Sequence, residues 1–225
     1  NSAMGEVFSI IEILSPWHSS AQIGQMINNS FSNAYYSGKS TSDLVNFESS
    51  LKKINENLAQ ITENGETEWI GKLNGVLCAI MNNSLMISPS GRVEAYLFRD
   101  GKINHLTYGL NPQGEIHPLK TFSNVVSGQL KSQDKVLITN KGLFDHISLE
   151  SVRQIITLND PSIAAMQITK LLKKEQVKNV NLFIINLLTK EEISSRPTRD
   201  VAEKVYYLDK AAESSFAKIA VFWQT

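Results

Sequence analysis

Residues 91–107 read GRVEAYLFRDGKINHLT, and this stretch predicts two antiparallel strands joined by a tight turn. Apolar side chains occupy every second position of its first half, which is the two-residue period of a half-buried strand, at Val93, Ala95 and Leu97. The Arg-Asp-Gly-Lys sequence at 99–102 contains the Asp-Gly pair that is typical of a hairpin turn. Ile103 to Thr107 then forms the returning strand.

Strand patterns continue on both sides of this hairpin. Downstream, residues 134–148 read DKVLITNKGLFDHIS and predict a strand at Val136–Thr139, a turn at Gly142 and a helix start at Ser148. Residues 178–188 read KNVNLFIINLL, and their almost unbroken apolar run indicates a central strand over 180–188. Upstream we expect a strand at Val7–Leu14, a long strand at Trp69–Ile80 and a loop at Ser88–Gly91. Directly after the hairpin we expect a loop at Tyr108–Lys120.

Apolar residues spaced by three and four predict helices between these strands. The clearest helix has its stripe at Leu44, Phe47, Leu51, Ile54, Leu58 and Ile61. The stripe suits either a short coiled-coil seam or packing on a sheet, and its length of under about three heptads favours the sheet. Other helices are expected after Ser19 or Ser20, after Ser148, after Asp160-Pro161 and over 199–212. This order of elements predicts an α+β domain with sheets inside and helices outside.

The composition excludes several classes of protein. Lys and Arg number 22 and Asp and Glu number 22, so the formal net charge is zero, which argues against a general nucleic-acid binder. One cysteine, Cys78, excludes an internal disulfide and a multi-cysteine zinc site, and its apolar neighbours predict a buried thiol. We expect no membrane span in this chain and no signal peptide, so the cytoplasm is the default location.

Three segments resemble the type-2C (PPM-type) metal-dependent protein serine/threonine phosphatases. Residues 91–107 are similar to the family's Gly-Asp-Ser-Arg-Ala-Tyr-Leu hairpin, 134–148 to its acidic residue, strand and Ser-Asp-Gly-Leu stretch, and 178–185 to its Asp-Asn-Ile-Thr-Val strand. The resemblance implies a central antiparallel β-sandwich flanked by helix pairs. In active members, carboxylates at one end of the sandwich hold two Mn²⁺ or Mg²⁺ ions, which activate a water that attacks the phosphate.

The positions that the resemblance assigns to metal-binding aspartates carry basic residues in this chain: Arg92, Lys141 and Lys178. The family's first metal-binding segment aligns with 13–17, which contains no aspartate, and the family's earlier Arg-x-x-Asn-Glu-Asp strand has no counterpart. A protonated lysine has no lone pair for a metal. A unit charge about 4 Å away at a surface-like dielectric costs about 4 kcal/mol, and a dication doubles that cost.

The leading hypothesis is therefore a catalytically inactive phosphatase-like regulatory or binding module with no catalytic, metal or cofactor residues. One alternative is an active serine/threonine phosphatase whose Mn²⁺ or Mg²⁺ site has moved to other residues, for which the nearest candidates are Glu94, Asp100, Asp145 and His146. Another alternative is a binder of anions or phospho-ligands that uses Arg92, Lys141 and Lys178, unless a nearby acid such as Glu94 pairs with them.

We expect a phosphatase-like domain over residues 4–190, without the usual N-terminal strand, and a C-terminal extension over 191–225. The extension should contain a helix and the apolar tail Phe216–Trp223. This tail either docks on the domain, which we favour, or leads to a further segment such as a membrane anchor. The protein partner is not identified by the sequence, and the chain is either cytoplasmic or the soluble domain of a longer protein.

Overall fold

The computed structural model describes residues 5–110, 117–194, 206–207 and 218–220. The chain divides into two compact units. The first comprises Asn1–Val93 and Thr107–Gln129, and the second comprises Glu94–Leu106 and Leu130–Thr225. The central hairpin therefore belongs to the second unit, although both of its sequence neighbours belong to the first.

The helices and strands of the two units have the following bounds. In chain order they are β1 (Glu6–Ile13), α1 (Ser20–Tyr36), α2 (Asp43–Glu63), β2 (Leu73–Met81), β3 (Ser84–Ser90), β4 (Val93–Arg99), β5 (Lys102–His105), β6 (Val126–Gln129), β7 (Lys135–Asn140), α3 (Leu149–Leu158), α4 (Pro161–Lys174), β8 (Leu182–Asn186), α5 (Lys190–Ser194), β9 (Tyr206–Tyr207) and β10 (Lys218–Ala220).

The first unit is a sheet of order β1-β2-β3-β6 in which every neighbouring pair is antiparallel. Helices α1 and α2 pack on it, and their buried apolar residues form one cluster with Leu77, Ala79 and Met86 of the sheet. The prediction that the α2 stripe packs on a sheet is confirmed for Phe47, Leu51, Ile54 and Leu58. It is wrong for Leu44, which is 37% exposed in the first turn of the helix.

The second unit contains the sheet order β5-β4-β7-β8-β10-β9. The pairs β4–β5, β7–β8 and β9–β10 are antiparallel, whereas β8 and β10 run parallel with Ile219 opposite Leu182. Helices α3 and α4 bury their apolar faces with residues of this sheet in a second cluster that includes Leu137, Leu182 and Ile184. Two largely antiparallel sheets with flanking helix pairs confirm the predicted α+β class.

Turn and cap residues explain where several elements end. Asp100 and Gly101 have φ of 51° and 73°, as a two-residue hairpin turn between β4 and β5 requires. Ser148 caps α3 because its Oγ accepts a hydrogen bond from the Ser151 N–H, and Pro161 occupies the first turn of α4 as predicted. Cys78 is buried, and this burial raises the pKa of its thiol.

Three strand predictions in the first unit need correction. Strand β2 begins at Leu73 rather than Trp69, because residues 68–72 form turns. The loop predicted at Ser88–Gly91 is wrong for residues 88–90, which form the end of β3 with Pro89 opposite Val76; Gly91 lies in the turn that follows. Proline is tolerated here because β6 pairs with β3 only as far as Ile87, so the other side of β3 needs no N–H donor at this point. Strand β6 was not predicted, since its sequence, VSGQ, is short and polar.

The C-terminal region also departs from the sequence prediction. The predicted helix over 199–212 is wrong at its centre, where Tyr206–Tyr207 form β9, and its other residues lie outside the described ones. Part of the predicted apolar tail forms β10, and a short helix, α5, was not predicted. Among the described residues, no helix combines the length and the hydrophobicity that crossing a membrane requires.

The carboxylate of Asp134 joins three parts of the second unit. Its two oxygens accept hydrogen bonds from Arg99 Nε at 2.9 Å and Nη2 at 2.5 Å, and a further bond from the Lys131 N–H at 2.6 Å. Its backbone carbonyl accepts the Leu187 N–H at 3.0 Å. The side chain of Asp134 is only 2% exposed. Asp134 thus fixes the end of β4 to the start of β7 and the residue after β8.

Leu51 and Leu44 provide a matched test of the α2 packing. Leu51 is 4% exposed, so Leu51→Asp places an unpaired charge in the core and should cost about 3–5 kcal/mol or prevent folding. Leu44→Asp puts the same charge in the exposed first turn of the same helix and should change stability by under about 0.5 kcal/mol. Chemical denaturation measures both values. Equal stability of the two variants would contradict the described packing.

Asp134 should also make the second unit sensitive to acid. Burial alone raises the pKa of Asp134, but the hydrogen bonds from Arg99 and the Lys131 N–H outweigh burial and hold the pKa below its usual value. A lowered folded-state pKa stabilises the fold above the unfolded pKa of about 4, and this stabilisation is lost as the pH falls through the folded pKa. Asp134→Asn should cost about 3–5 kcal/mol at pH 7 and flatten the acid limb of the stability curve.

The control for this experiment is Glu150→Gln, which removes the exposed ion pair between Glu150 and Arg153 on α3. Exposed pairs at this spacing contribute little, so the control should keep the wild-type acid limb. An Asp134→Asn variant with wild-type stability at pH 7 would show that the buried ion pair does not hold the strands together.

Candidate functional site

Arg92 lies in the turn between β3 and β4. Its N–H donates to Asn74 Oδ1 at 2.8 Å, and Asn74 Nδ2 donates to Glu12 Oε2 at 2.9 Å. Gly91 makes this turn possible: its φ is 72°, and a Cβ would lie 2.5 Å from Asn74 Oδ1 and 2.6 Å from the Leu73 carbonyl oxygen. The Arg92 side chain is exposed, so the turn presents a guanidinium to solvent from the first unit.

Lys141 and Lys178 lie at one end of the second sheet. Lys141 opens the 3₁₀ turn that follows β7, and Lys178 precedes β8. The residues next to them are joined directly, because Asn140 Nδ2 donates to the Asn179 carbonyl at 2.7 Å, and the Asn181 N–H donates to Asn140 Oδ1 at 3.3 Å. Both lysine side chains are exposed. The structure therefore brings these two predicted residues together within one unit.

Glu94 is bound within its own strand pair. Its Oε2 accepts the Tyr96 hydroxyl at 2.8 Å, and the Tyr96 ring stacks on His105 with the centroids 4.4 Å apart. Burial and the Glu94 carboxylate raise the pKa of Tyr96, and burial lowers the pKa of His105. In the described part of the chain, no ion pair within 4 Å joins Arg92 or Lys141 to a carboxylate.

The candidate ligands of a displaced metal site do not form a ligand cluster. Asp100 occupies its hairpin turn with an exposed side chain, and Asp145 and His146 are exposed in the turn before α3. Across residues 5–110 and 117–194 and the two short described strands, no three His, Cys, Asp or Glu side chains are grouped so that they could hold a metal ion. The described residues therefore do not supply the grouped carboxylates that a two-metal site requires.

The segment after β1, which the resemblance aligns with the first metal-binding loop, is held by Glu66. The Glu66 carboxylate accepts Trp17 Nε1 at 3.4 Å and Ser19 Oγ at 3.1 Å, and His18 Nε2 lies 3.9 Å from it. The Lys72 ammonium lies 5.6 Å from the centre of the Trp17 ring. Sequence reasoning missed Glu66, because a lone glutamate after a helix gives no signal of a contact nearly 50 residues away.

A second feature that sequence reasoning missed is an open cleft of about 420 Å³ in the first unit. We call it the α2 cleft, and it is lined by Glu48, Leu51, Lys52, Asn55 and Glu56 of α2 and by Leu119, Phe122, Ser123 and Val125. The signal for it was Asn55, a polar residue on the buried face of α2. Its amide accepts the Phe122 N–H and donates to the Phe122 carbonyl, both at 3.0 Å.

No protein-family profile matches the chain, and no curated protein sequence matches it. Several solved structures do match the chain. The chain is similar to a bacterial serine phosphatase that carries a point mutation, with a TM-score of 0.67 and 14% identity over 84% of this chain and 88% of that one. It is similar to the Mycobacterium tuberculosis serine/threonine phosphatase PstP/Ppp, with a TM-score of 0.63 and 15% identity over 81% and 88%.

A third similar structure is the photosystem II phosphatase PBCP, with a TM-score of 0.54 and 17% identity over 79% of this chain and 72% of that one. All three similarities have low sequence identity, and they show that the chain has the fold of the PPM-type phosphatases. The predicted fold is thereby confirmed.

Gly91 and Gly101 allow the geometry of the Arg92 turn to be tested. Both have positive φ, of 72° and 73°, but a Cβ at Gly101 meets nothing within 4 Å. Gly101→Ala should therefore cost only the conformational strain, about 1–2 kcal/mol. Gly91→Ala adds a clash with Asn74 and the backbone of Leu73, and should cost at least about 2 kcal/mol more. Denaturation midpoints give both values, and equal costs would show that the turn is not packed as described.

Proposed function

We propose that this chain is a catalytically inactive PPM-type phosphatase-like domain, a pseudophosphatase, that acts as a cytoplasmic binding module in signalling. The observation that carries the proposal is the presence of Arg92, Lys141 and Lys178 at the three positions that the resemblance assigns to metal-binding aspartates. We also propose that this module spans residues 4–190 and that 191–225 is an extension of it.

Charge and ligand chemistry support this proposal. One similar structure is the catalytic domain of the serine/threonine phosphatase PstP in complex with two manganese ions. Such ions bind oxygen ligands, chiefly carboxylates, whereas guanidinium and ammonium groups offer no lone pair and repel a dication. Two of the described acids are already engaged, because Glu94 binds Tyr96 and Glu66 binds the segment at 17–19.

The test of this function is hydrolysis. The purified chain with 2 mM Mn²⁺ or Mg²⁺ should hydrolyse p-nitrophenyl phosphate and a phosphothreonine peptide no faster than buffer alone does. The protein concentration is set high enough to detect a turnover rate about 10⁶-fold below that of a typical enzyme. The matched control is the triple variant Arg92→Glu, Lys141→Glu, Lys178→Glu, which reverses the charge at the same positions. Metal-dependent hydrolysis by the wild type would establish the alternative, an active phosphatase with a displaced metal site.

A second candidate function is the binding of a phosphate-like anion. The observation that favours it is the exposure of the Arg92 guanidinium and the Lys141 ammonium, for which the described residues supply no carboxylate partner within 4 Å. A guanidinium can donate two parallel hydrogen bonds to an oxyanion, and an ammonium adds charge-assisted bonds.

Thermal unfolding in phosphate and in chloride at matched ionic strength tests this candidate. Phosphate at ten times its Kd should stabilise the wild type by about 1.4 kcal/mol. Arg92→Ala tests a site in the first unit, and Lys141→Ala and Lys178→Ala test a site in the second. The variant at the true site should weaken this stabilisation, while Lys53→Ala on the exposed side of α2 should leave it unchanged. No difference between phosphate and chloride for the wild type would exclude a specific anion site.

A further inference from the structure

The α2 cleft adjoins the start of strand β6. Val125 lines the cleft, and the next residue, Val126, begins β6. A chain that lies along the outer edge of β6 therefore passes the mouth of the cleft. Because side chains of a strand alternate between the two faces of a sheet, every second residue of such a chain faces the side on which α2 packs.

The outer edge of β6 is suited to strand addition. Strand β6 is the last strand of the first sheet and pairs with β3, and no strand among the described residues pairs with its other side. Ser127 and Gly128 are exposed, and a Cβ built on Gly128 meets nothing within 4 Å. Sheet edges are usually protected by charged residues, lysine above all, or by proline. Strand β6 contains neither a charged residue nor a proline.

The α2 cleft adds side-chain specificity to this edge. Leu51 and Phe122 form its buried apolar base, and Leu119, 52% exposed, forms an apolar wall open to solvent. The two hydrogen bonds between Asn55 and the Phe122 backbone fix the segment that carries this wall to α2. The cleft is thus formed before any ligand arrives, which lowers the entropic cost of binding.

The charges at the rim of the cleft favour a basic ligand. Glu48 and Glu56 line it together with one cation, Lys52. Lys53 lies 4.0 Å from Glu56, but both groups are about half exposed, and such pairs contribute little. A lysine or arginine in the ligand therefore gains from two carboxylates spaced two helical turns apart.

We propose that the first unit binds an extended peptide segment of a partner protein, which adds to β6 as a fifth strand. One apolar side chain of the segment enters the α2 cleft, and a neighbouring lysine or arginine pairs with Glu48 or Glu56. Main-chain hydrogen bonds to β6 supply affinity, and the cleft supplies selectivity. This inference rests on the proposed function as a binding module, and it names the surface and the partner chemistry.

A phage-displayed library of random dodecapeptides, selected on the whole chain, is the probe. The enriched peptides should alternate apolar residues and contain a lysine or arginine. Synthetic copies of these peptides should bind the chain in a fluorescence anisotropy assay. Leu119→Asp should weaken their affinity at least about tenfold because it places a charge in the apolar wall. Glu48→Lys should also weaken them, whereas Glu63→Lys, exposed on the same helix outside the cleft, should not.

Hydrogen exchange gives a readout that a cleft contact alone would not produce: a bound peptide should slow exchange at the Ser127 or Gly128 amides. Failure to enrich any peptide, binders that tolerate Leu119→Asp, or unchanged exchange in β6 would each overturn the proposal. These outcomes are distinct from failure of the proposed function, because metal-dependent hydrolysis is measured separately and does not depend on β6.

Discussion

The buried carboxylate of Asp134 is the interaction on which the second sheet depends. It accepts three hydrogen bonds, two from Arg99 at the end of β4 and one from the Lys131 N–H, while its backbone binds Leu187 after β8. The next residue, Lys135, donates from Nζ to the carbonyl oxygens of Ile156, Thr157 and Asn159 at 2.8, 3.2 and 2.9 Å. The last carbonyl groups of a helix have no partner within the helix, and Lys135 satisfies these three at the end of α3. Asp134 and Lys135 together therefore connect β4, β7, β8 and α3.

Two asparagine side chains fix the turns that carry the basic residues in the same way. Asn140 joins the turn after β7 to the segment before β8, and Asn74 joins the turn after β3 to Glu12. A metal site needs carboxylates to converge on a cation, and the cation in turn draws their loops together. In this chain the amides hold the turns that carry the basic residues by direct hydrogen bonds.

The sequence predicted the elements whose signals are local. The Asp-Gly hairpin turn, the Ser148 cap and the α2 stripe each depend on residues within a few positions of one another, and all three are present. Pro89 led to the prediction of a loop where β3 continues. Only the pairing of the strands shows that β6 contacts β3 no further than Ile87, so that no N–H donor is needed at Pro89 on that side. Strand β6, the Glu66 contacts and the α2 cleft depend on distant segments, and of these only the cleft has a local signal, the polar Asn55 on the buried face of α2.

The packed framework of each unit does not depend on the three exposed basic side chains. The two apolar clusters are built from helix stripes and strand faces, and neither contains Arg92, Lys141 or Lys178. These three side chains lie on exposed turns whose geometry is set by Gly91, Asn74 and Asn140. Replacing an exposed aspartate there changes stability by under about 0.5 kcal/mol but removes a metal ligand outright. Changes at these three positions therefore alter the charge of the turns and leave the packed framework intact.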